Sequence, residues 1–301
     1  MYKIIQKSKY WFILSGLLMV LSIVFIAVFG LRLGIDYKGG TVLEFQSSNP
    51  DRVTLSEETL KDKAISNYQI KEGGNNLVIL KLPILTNQEH IDLDTALKIK
   101  LSDFSETSYD SVGATISKDL INKSIWAVVL ASLGIIFYIA FAFRRIPKPL
   151  SSWKFGASAV IAIIHDLLIT TGFVALIGHF VPWMEVDALF ITALLTIMGF
   201  SVHDTIVVYD RLRENYLKNP HEDIAISTEE SVNQTLARSI NTSLTVIIVL
   251  LALFLMGGLA IRHFVLTLII GIFFGTYSSI FIAAALVVVW HKKKKVLSGS
   301  A

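Results

Sequence analysis

The stretch DALFITALLTIMGFSVHDTIVVY, residues 187–209, decides how this chain is read. From Ala188 to Val202 it carries no charge. A helix rises about 1.5 Å per residue, so roughly 20 apolar residues cross a hydrocarbon core about 30 Å thick. The stretch therefore reads as a membrane-spanning helix. Before it ends, it sets His203 and Asp204 side by side. Even lenient scales assign about 2.5–3.5 kcal/mol to an aspartate at the centre of a span, and ionisable groups in such places are functional by default.

The rest of the chain fits the same class. Of 301 residues, 53% are hydrophobic and only 17% charged, against roughly 25% charged in soluble domains. The mean hydropathy is +0.61. The absence of cysteine excludes disulfides and thiolate metal sites. No basic-aromatic patch points to nucleic acid, so no nucleic-acid partner is expected. Six apolar stretches are long enough to span: about 10–31, 124–143, 155–178, 187–209, 239–260 and 264–290. The first has a basic start like a signal peptide. It is long enough to cross, and no small-residue cleavage site ends it, so a retained helix is expected.

Lysine and arginine in short loops set orientation. Lys3, Lys7 and Lys9 precede the first span, RRIPKPLSSWK (144–154) joins the second to the third, and HKKKK (291–295) follows the last. The loop HFVPWMEVD (179–187) has neither residue. This predicts six crossings with both termini cytoplasmic. The loop between spans four and five mixes Arg211, Arg213 and Lys218 with many acids and is neutral. The terminal Ser298, Gly299, Ser300 and Ala301 resemble a linker scar.

Residues 34–122 are polar and would form a domain outside, leaving residues 1–33 as N-terminus plus first span and residues 123–297 as the remaining five helices. TVLEFQ (41–46) alternates like a strand. SEETLKDKAISN (56–67) opens with a capping-box arrangement, Ser56 before Thr59 with Glu57 and Glu58 in its first turn. YQIKE (68–72) and NLVILKL (76–82) are strands joined through Gly73, Gly74, Asn75 and Asn76, a strong hairpin signal. NQEHIDLDTALKIKLSDF (87–104) is helical, with Ile91, Leu97 and Leu101 among its apolar positions, and TSYDSVGATIS (107–117) is a last strand. The order β-α-β-β-α-β is that of a ferredoxin-like unit. The fold class expected is thus an α-helical membrane bundle of six transmembrane helices with an α+β ferredoxin-like extracytoplasmic domain between helices one and two.

Gly271, Gly275, Ser279 and Ala283 recur every four residues in the last span. Small residues at that spacing let helices approach closely. They imply packing inside this bundle or, more sharply, an interface with a partner subunit.

The intramembrane charges carry the functional question. IIHDLLIT (163–170) repeats the His-Asp pair, so Asp166 and Asp204 lie on consecutive, antiparallel spans. Counting from the cytoplasmic ends places Asp166 roughly 16 Å deep and Asp204 roughly 8 Å deep. Arg238, Asn241, Thr242 and Thr245 share one face of span five at i, i+3, i+4 and i+7. Arg238 would face Asp204 at similar depth if the helices pack together; Arg211 is a rival, more suited to the headgroup level. Three readings are open. One is a structural ion pair. One is a metal site of two His and two Asp, disfavoured because neighbours on a helix point about 100° apart and no HExxH-type signature appears. The third is a proton or cation relay, since burial disfavours an ionised carboxylate and a nearby arginine restores it. Candidate ion-path or tuning residues are His203, Asp166, His165, Asn241, Thr242 and Thr245. No hydrolase motif, cofactor site or metal site is expected.

The chain resembles the SecF side of the SecD/SecF group of bacterial protein-export proteins, within the RND (resistance-nodulation-division) superfamily. The resemblance rests on GIDYKGGT (34–41), HDLLIT (165–170), GFSVHDTIVVYDRLREN (199–215) and Arg238 in TLARSINTS (235–243), in that order over nearly the whole chain. VGATIS (112–117) departs from the Val-Gly-Pro string of the group, which bears on how the last strand joins span two. The resemblance implies a subunit that pairs with SecD in a twelve-helix bundle, associates with the SecYEG channel, and uses the proton or sodium motive force to draw unfolded preproteins outward across the inner membrane. It implies that Asp204 and Arg238 are the ion-coupling pair, completed by an aspartate from SecD, so that Asp204 should look incomplete in this chain alone. Gly34, Asp36, Gly39, Gly40 and Gly199 belong to its motifs; Gly39 and Gly40 can take backbone angles closed to other residues. The alternatives are an exporter subunit for lipid or small molecules and a structural scaffold of the channel complex.

Overall fold

The computed structural model describes residues 2–144 and 151–298. Arg145 and Lys148 of the second loop, the side chains of Lys292–Lys295, and the linker-like Gly299, Ser300 and Ala301 lie outside the described residues. In chain order the elements are α1 (Ser8–Phe29), α2 (Ile35–Lys38), β1 (Gly40–Gln46), α3 (Arg52–Asp62), β2 (Gln69–Glu72), β3 (Leu77–Leu82), α4 (Asn87–Lys100), β4 (Ser105–Val112), α5 (Ala114–Ala142), α6 (Ser152–Phe180), α7 (Ala188–Lys218), α8 (Ile224–Met256), α9 (Leu259–Ser278), a π-helical turn (Ser279–Ala283) and α10 (Ala284–Ser298). Six helices are long and apolar enough to cross a membrane, the sixth running through the π turn from Leu259 to His291. The chain divides into a helical unit (Met1–Arg32, Trp126–Met184, Leu189–Ala301) and a sheet unit (Leu33–Ile125, Glu185–Ala188).

Several helices outrun their apolar stretches. The helix α5 begins at Ala114, immediately after β4 and Gly113, so the VGATIS segment is strand end and helix start rather than strand throughout. The helix α7 continues to Lys218, and α8 begins at Ile224, well before the apolar run starting at residue 239. Hydropathy marks where a helix is apolar, not where its hydrogen bonding stops. The polar end of α7, DRLRENYLK, is rich in good helix formers.

Within the helical unit, α6, α7 and the last span form the centre, while α1, α5 and α8 are largely exposed. On α1 only Ser15 and Ser22 are buried. The core centres on Tyr209, whose ring meets Phe155 edge-on at 4.7 Å and Phe143 at 6.1 Å. Ile163, Met198, Val208, Leu212 and Ala283 pack around them. The exposed apolar residues of α1 and α5, such as Leu17, Val20, Trp126 and Phe137, form a surface suited to lipid.

The sheet unit is an antiparallel sheet in the order β2-β3-β1-β4. Leu43 and Phe45 of β1 and Val78, Leu80 and Leu82 of β3 alternate onto one face, against Leu60 of α3 and Leu93, Leu97 and Leu101 near α4. Ile91 is exposed and Leu93 takes the core position instead. The hairpin turn is as expected, with Asn75 and Asn76 at φ +57° and +61°, angles that asparagine tolerates better than most residues. The capping box is not at Ser56. The helix α3 starts four residues earlier, at Arg52, and the Ser56 hydroxyl donates to the Arg52 carbonyl at 2.6 Å. The box lies on α4, where Thr86 Oγ1 accepts from Glu89 N at 3.3 Å and Glu89 accepts from Thr86 N at 2.7 Å. Gly39 and Gly40 have φ of +77° and +143°, and a Cβ on Gly40 would stand 3.0 Å from the Leu82 carbonyl oxygen.

The segment Glu185–Ala188 belongs to this unit. Gly34 N donates to Val186 O at 2.8 Å, and Ala188 N donates to the Asp36 carboxylate at 2.8 Å. Glu185 bonds Lys71 of β2 at 2.9 Å and also Lys81 of β3. Burial pushes the Glu185 carboxyl up, but the two ammonium groups outweigh it and hold the group below the usual glutamate range. A depressed value means that the ion pairs stabilise the fold at neutral pH and that this stability is lost as pH falls through the folded value. Replacing Glu185 by Gln should therefore cost roughly 1.5–3 kcal/mol at pH 7, read as faster hydrogen exchange of the β2 and β3 amides in the full chain. Wild type and variant should converge in acid.

Candidate ion-coupling site

Two aspartates sit inside the helical unit, each solvated by neighbouring hydroxyls. Asp166 on α6 is fully buried. Its Oδ2 accepts from Ser201 of α7 and Ser278 of α9, both at 2.7 Å, and its Oδ1 lies 2.9 Å from His165 Nδ1. Asp204 on α7 is 6% exposed, and its Oδ2 accepts from Ser279. Ser278 and Ser279 are consecutive, about 100° apart on a helix. The last span can thus serve α6 with one hydroxyl and α7 with the next. The π turn begins at Ser279, and such turns often mark functional positions.

The small residues make this possible. A Cβ on Gly271 would overlap the Ile197 side chain of α7, and one on Gly275 would stand 3.1 Å from Ser201 Cβ and 3.6 Å from Asp166 Oδ2. The Gly271, Gly275, Ser279 stripe therefore packs inside this bundle and brings α9 against α7. Gly199 is not part of such a contact, since a Cβ there would meet nothing within 4 Å.

Arg238 is not where the sequence pattern puts it. It is exposed, and among the described residues it forms no ion pair with Asp204, although its charge lies within coulombic reach. Asn241, Thr242 and Thr245 are exposed with it, and the Thr242 hydroxyl turns back to the Arg238 carbonyl at 2.9 Å. The helix α8 carries a second stripe, Ser231, Thr235, Ser239 and Ser243, and this is the buried one. Small hydroxyls that bond their own i−4 carbonyls, as Thr235 and Ser243 do at 2.9 Å, can enter a close helix contact. A guanidinium cannot do so without a partner. Periodicity locates both stripes but cannot say which faces inward. His203 is also exposed, beside the buried Asp204. No group of three or more His, Asp or Glu side chains able to hold a metal comes together among the described residues.

The sequence reading missed the serines around Asp166 and a clamp on the N-terminus. Glu229 of α8, 3% exposed, accepts from the backbone N–H groups of Ile5 at 3.0 Å and Gln6 at 3.1 Å, and also from Ile4. Asn233 holds Tyr2 at both N and O. Arg211 bonds Gln234 and Glu214, and Asn215 bonds Ser231 and Gln234 at 2.9 Å, tying α7 to the same stretch of α8. The adjacent serines of TYSSIF (276–281) were the available signal for the first group. Glu229 had none, because its partners are backbone groups over 220 residues away.

The family described as "Protein export membrane protein SecD/SecF, C-terminal" matches residues 92–293, and the "SecD/SecF GG Motif" matches residues 24–51. The chain is 42% identical to the protein translocase subunit SecF of Thermobaculum terrenum, over 97% of this chain and 95% of that one. It is 33% identical to the protein translocase subunit SecDF of Thermus thermophilus, over 90% of this chain and 36% of that one. The crystal structure of SecDF from Thermus, titled a translocon-associated membrane protein, superposes with a TM-score of 0.81 at 32% identity, covering 97% of this chain and 39% of that one.

Ser201→Ala and Ser278→Ala should each destabilise the bundle by about 1–3 kcal/mol, since each leaves a buried carboxylate short of a donor. The double variant should be non-additive because both serve one oxygen. Thermal unfolding in detergent checks this. Glu229→Ala should release the N-terminal segment, seen as faster tryptic cleavage at Lys3 and Lys7.

Proposed function

The chain belongs to the SecD/SecF family of protein-export membrane proteins and is a multi-pass transport subunit of the SecF kind, and we propose that it couples an ion gradient to preprotein translocation through Asp204 and Arg238. The reading orients both termini to the cytoplasm and the sheet unit, as a ferredoxin-like domain, to the outer side. SecD covers the exposed polar face, the pair works beside SecYEG, and the cargo is an unfolded preprotein.

One observation carries the reading: Asp204 is held by this chain, while Arg238, Asn241, Thr242, Thr245 and His203 lie on its outer surface within apolar spans. Polar groups at such depth are costly against lipid and normally face a protein interior or water. A partner bundle that covers this face would turn it into an interior. The fused Thermus relative is consistent with that arrangement, since more than half of its length lies beyond the part this chain matches.

The mechanism follows from elementary electrostatics. A carboxyl group away from water and countercharge holds its proton; a guanidinium brought against it favours release. In the arrangement seen here Arg238 stands off and Ser279 serves Asp204. Movement of α8 toward α7 would bring the charge in and expel the proton. Proton binding on one side and release on the other would then drive a cycle of shapes.

Asp204→Asn should fold and bind SecD yet lose the gradient-dependent part of preprotein translocation in inverted vesicles. Arg238→Met should do likewise. Retention of that stimulation by both variants at wild-type abundance would leave a structural scaffold as the better account.

A further inference from the structure

One face of α8 changes character along its length. Glu229, Asn233, Leu236, Ile240, Leu244 and Ile247 follow one another at intervals of three or four, within about 80° round the helix. The first two hold the N-terminal segment: Glu229 accepts from the N–H groups of Ile4, Ile5 and Gln6, and Asn233 bonds Tyr2. The other four line an apolar groove of about 320 Å³. Its opposite wall is Phe273 and Tyr277 of α9 and Phe281 of the π turn, and Ser243 bonds Thr276 between the two walls. Ile240, Leu244 and Phe273 are 46%, 51% and 61% exposed, so the groove opens to the surface of the bundle.

The N-terminal segment bounds one end of the groove. It runs from Asn233 of α8 to the start of α1, and α1 meets the opposite wall, where Trp11 lies 4.4 Å from Phe281 and Ser15 bonds Tyr277 at 3.0 Å. Lys3 and Lys7 on this segment are exposed, and neither forms an ion pair among the described residues. The nearby carboxylates are committed, Glu229 to three N–H groups and Glu230 to Gln234. Lysines and a tryptophan where an apolar helix begins mark the headgroup level of a bilayer, and unpaired lysines there attract anionic lipid.

The groove has the thickness of a chain rather than a helix. Leu236 to Ile247 spans about 16 Å, so 320 Å³ gives a mean cross-section of roughly 20 Å², about a quarter of that of a helix 10 Å across. Arg238 lies about 160° round α8 from Leu236 and from Ile240. Given the proposed function, on which this point alone rests, the groove is on the side of α8 away from SecD and stays open in the pair.

We propose that this groove binds one anionic phospholipid, with an acyl chain between α8 and the last span and its headgroup phosphate against Lys3 and Lys7. Native mass spectrometry of the full chain in detergent tests it, with dioleoylphosphatidylglycerol and dioleoylphosphatidylcholine added in turn. The expected result is one retained phosphatidylglycerol, at an occupancy at least fivefold above phosphatidylcholine. Lys3→Gln with Lys7→Gln should erase that preference. Lys9→Gln should keep it, because Lys9 lies about 160° round α1 from Trp11. Leu244→Trp, on the exposed rim, should lower phosphatidylglycerol occupancy at least fivefold. Equal occupancy by the two lipids, the same loss in Lys9→Gln, or undiminished binding in Leu244→Trp would overturn the proposal. Loss of the lipid on adding SecD would overturn it in favour of a subunit contact. The lipid measurements use the chain alone, so their outcome is independent of the coupling role of Asp204.

Discussion

A carboxylate inside an apolar bundle must be solvated by the bundle itself, and this constraint organises the helical unit. Asp166 and Asp204 can stand within spans because Ser201, Ser278 and Ser279 reach them. Those serines reach them because Gly271 and Gly275 allow the last span to touch α7. The cost of an aspartate at such depth, about 2.5–3.5 kcal/mol before compensation, is comparable with one or two charge-assisted hydrogen bonds at roughly 1.5–3 kcal/mol each. Small residues and hydroxyls therefore act together. Neither the glycines nor the serines would suffice alone.

The same comparison explains what the bundle leaves outside. A small hydroxyl on α8 can satisfy itself on the preceding turn and enter a close contact, as Ser231, Thr235 and Ser243 do. Arg238 has five donors and a fixed charge, and α8 finds no carboxylate for it among the described residues. Under the proposed coupling, the exposed arginine on α8 and the buried aspartate on α7 are two halves of a switch held apart. The same proposal would join them through a covering partner and a movement of α8 toward α7.

Much of this was legible in the residues. The six apolar runs, the β-α-β-β-α-β order and the Gly73–Asn76 hairpin follow from period and turn chemistry, which are local. The capping box was misplaced from α4 to Ser56, because Ser-Glu-Glu strings occur inside helices as well as at their starts. Helix ends were read too short at α5, α7 and α8, since polar helix continues past the apolar run. At the candidate site, the sequence pointed to both aspartates and to the small-residue stripe. It could not show that Arg238 faces outward, because a helical period fixes relative angles along one helix and says nothing of its rotation against the next. The Glu229 clamp was invisible for a different reason: backbone N–H groups have no sequence signature.

The central claim is that Asp204 takes up and releases a proton as the gradient is applied. Infrared difference spectroscopy on the chain with SecD in sealed vesicles reads protonated carboxyl groups directly. The account predicts a carboxylic-acid band that rises or falls when a proton gradient is imposed and is missing in Asp204→Asn. A band unchanged by the gradient, or unaltered by that substitution, would contradict it.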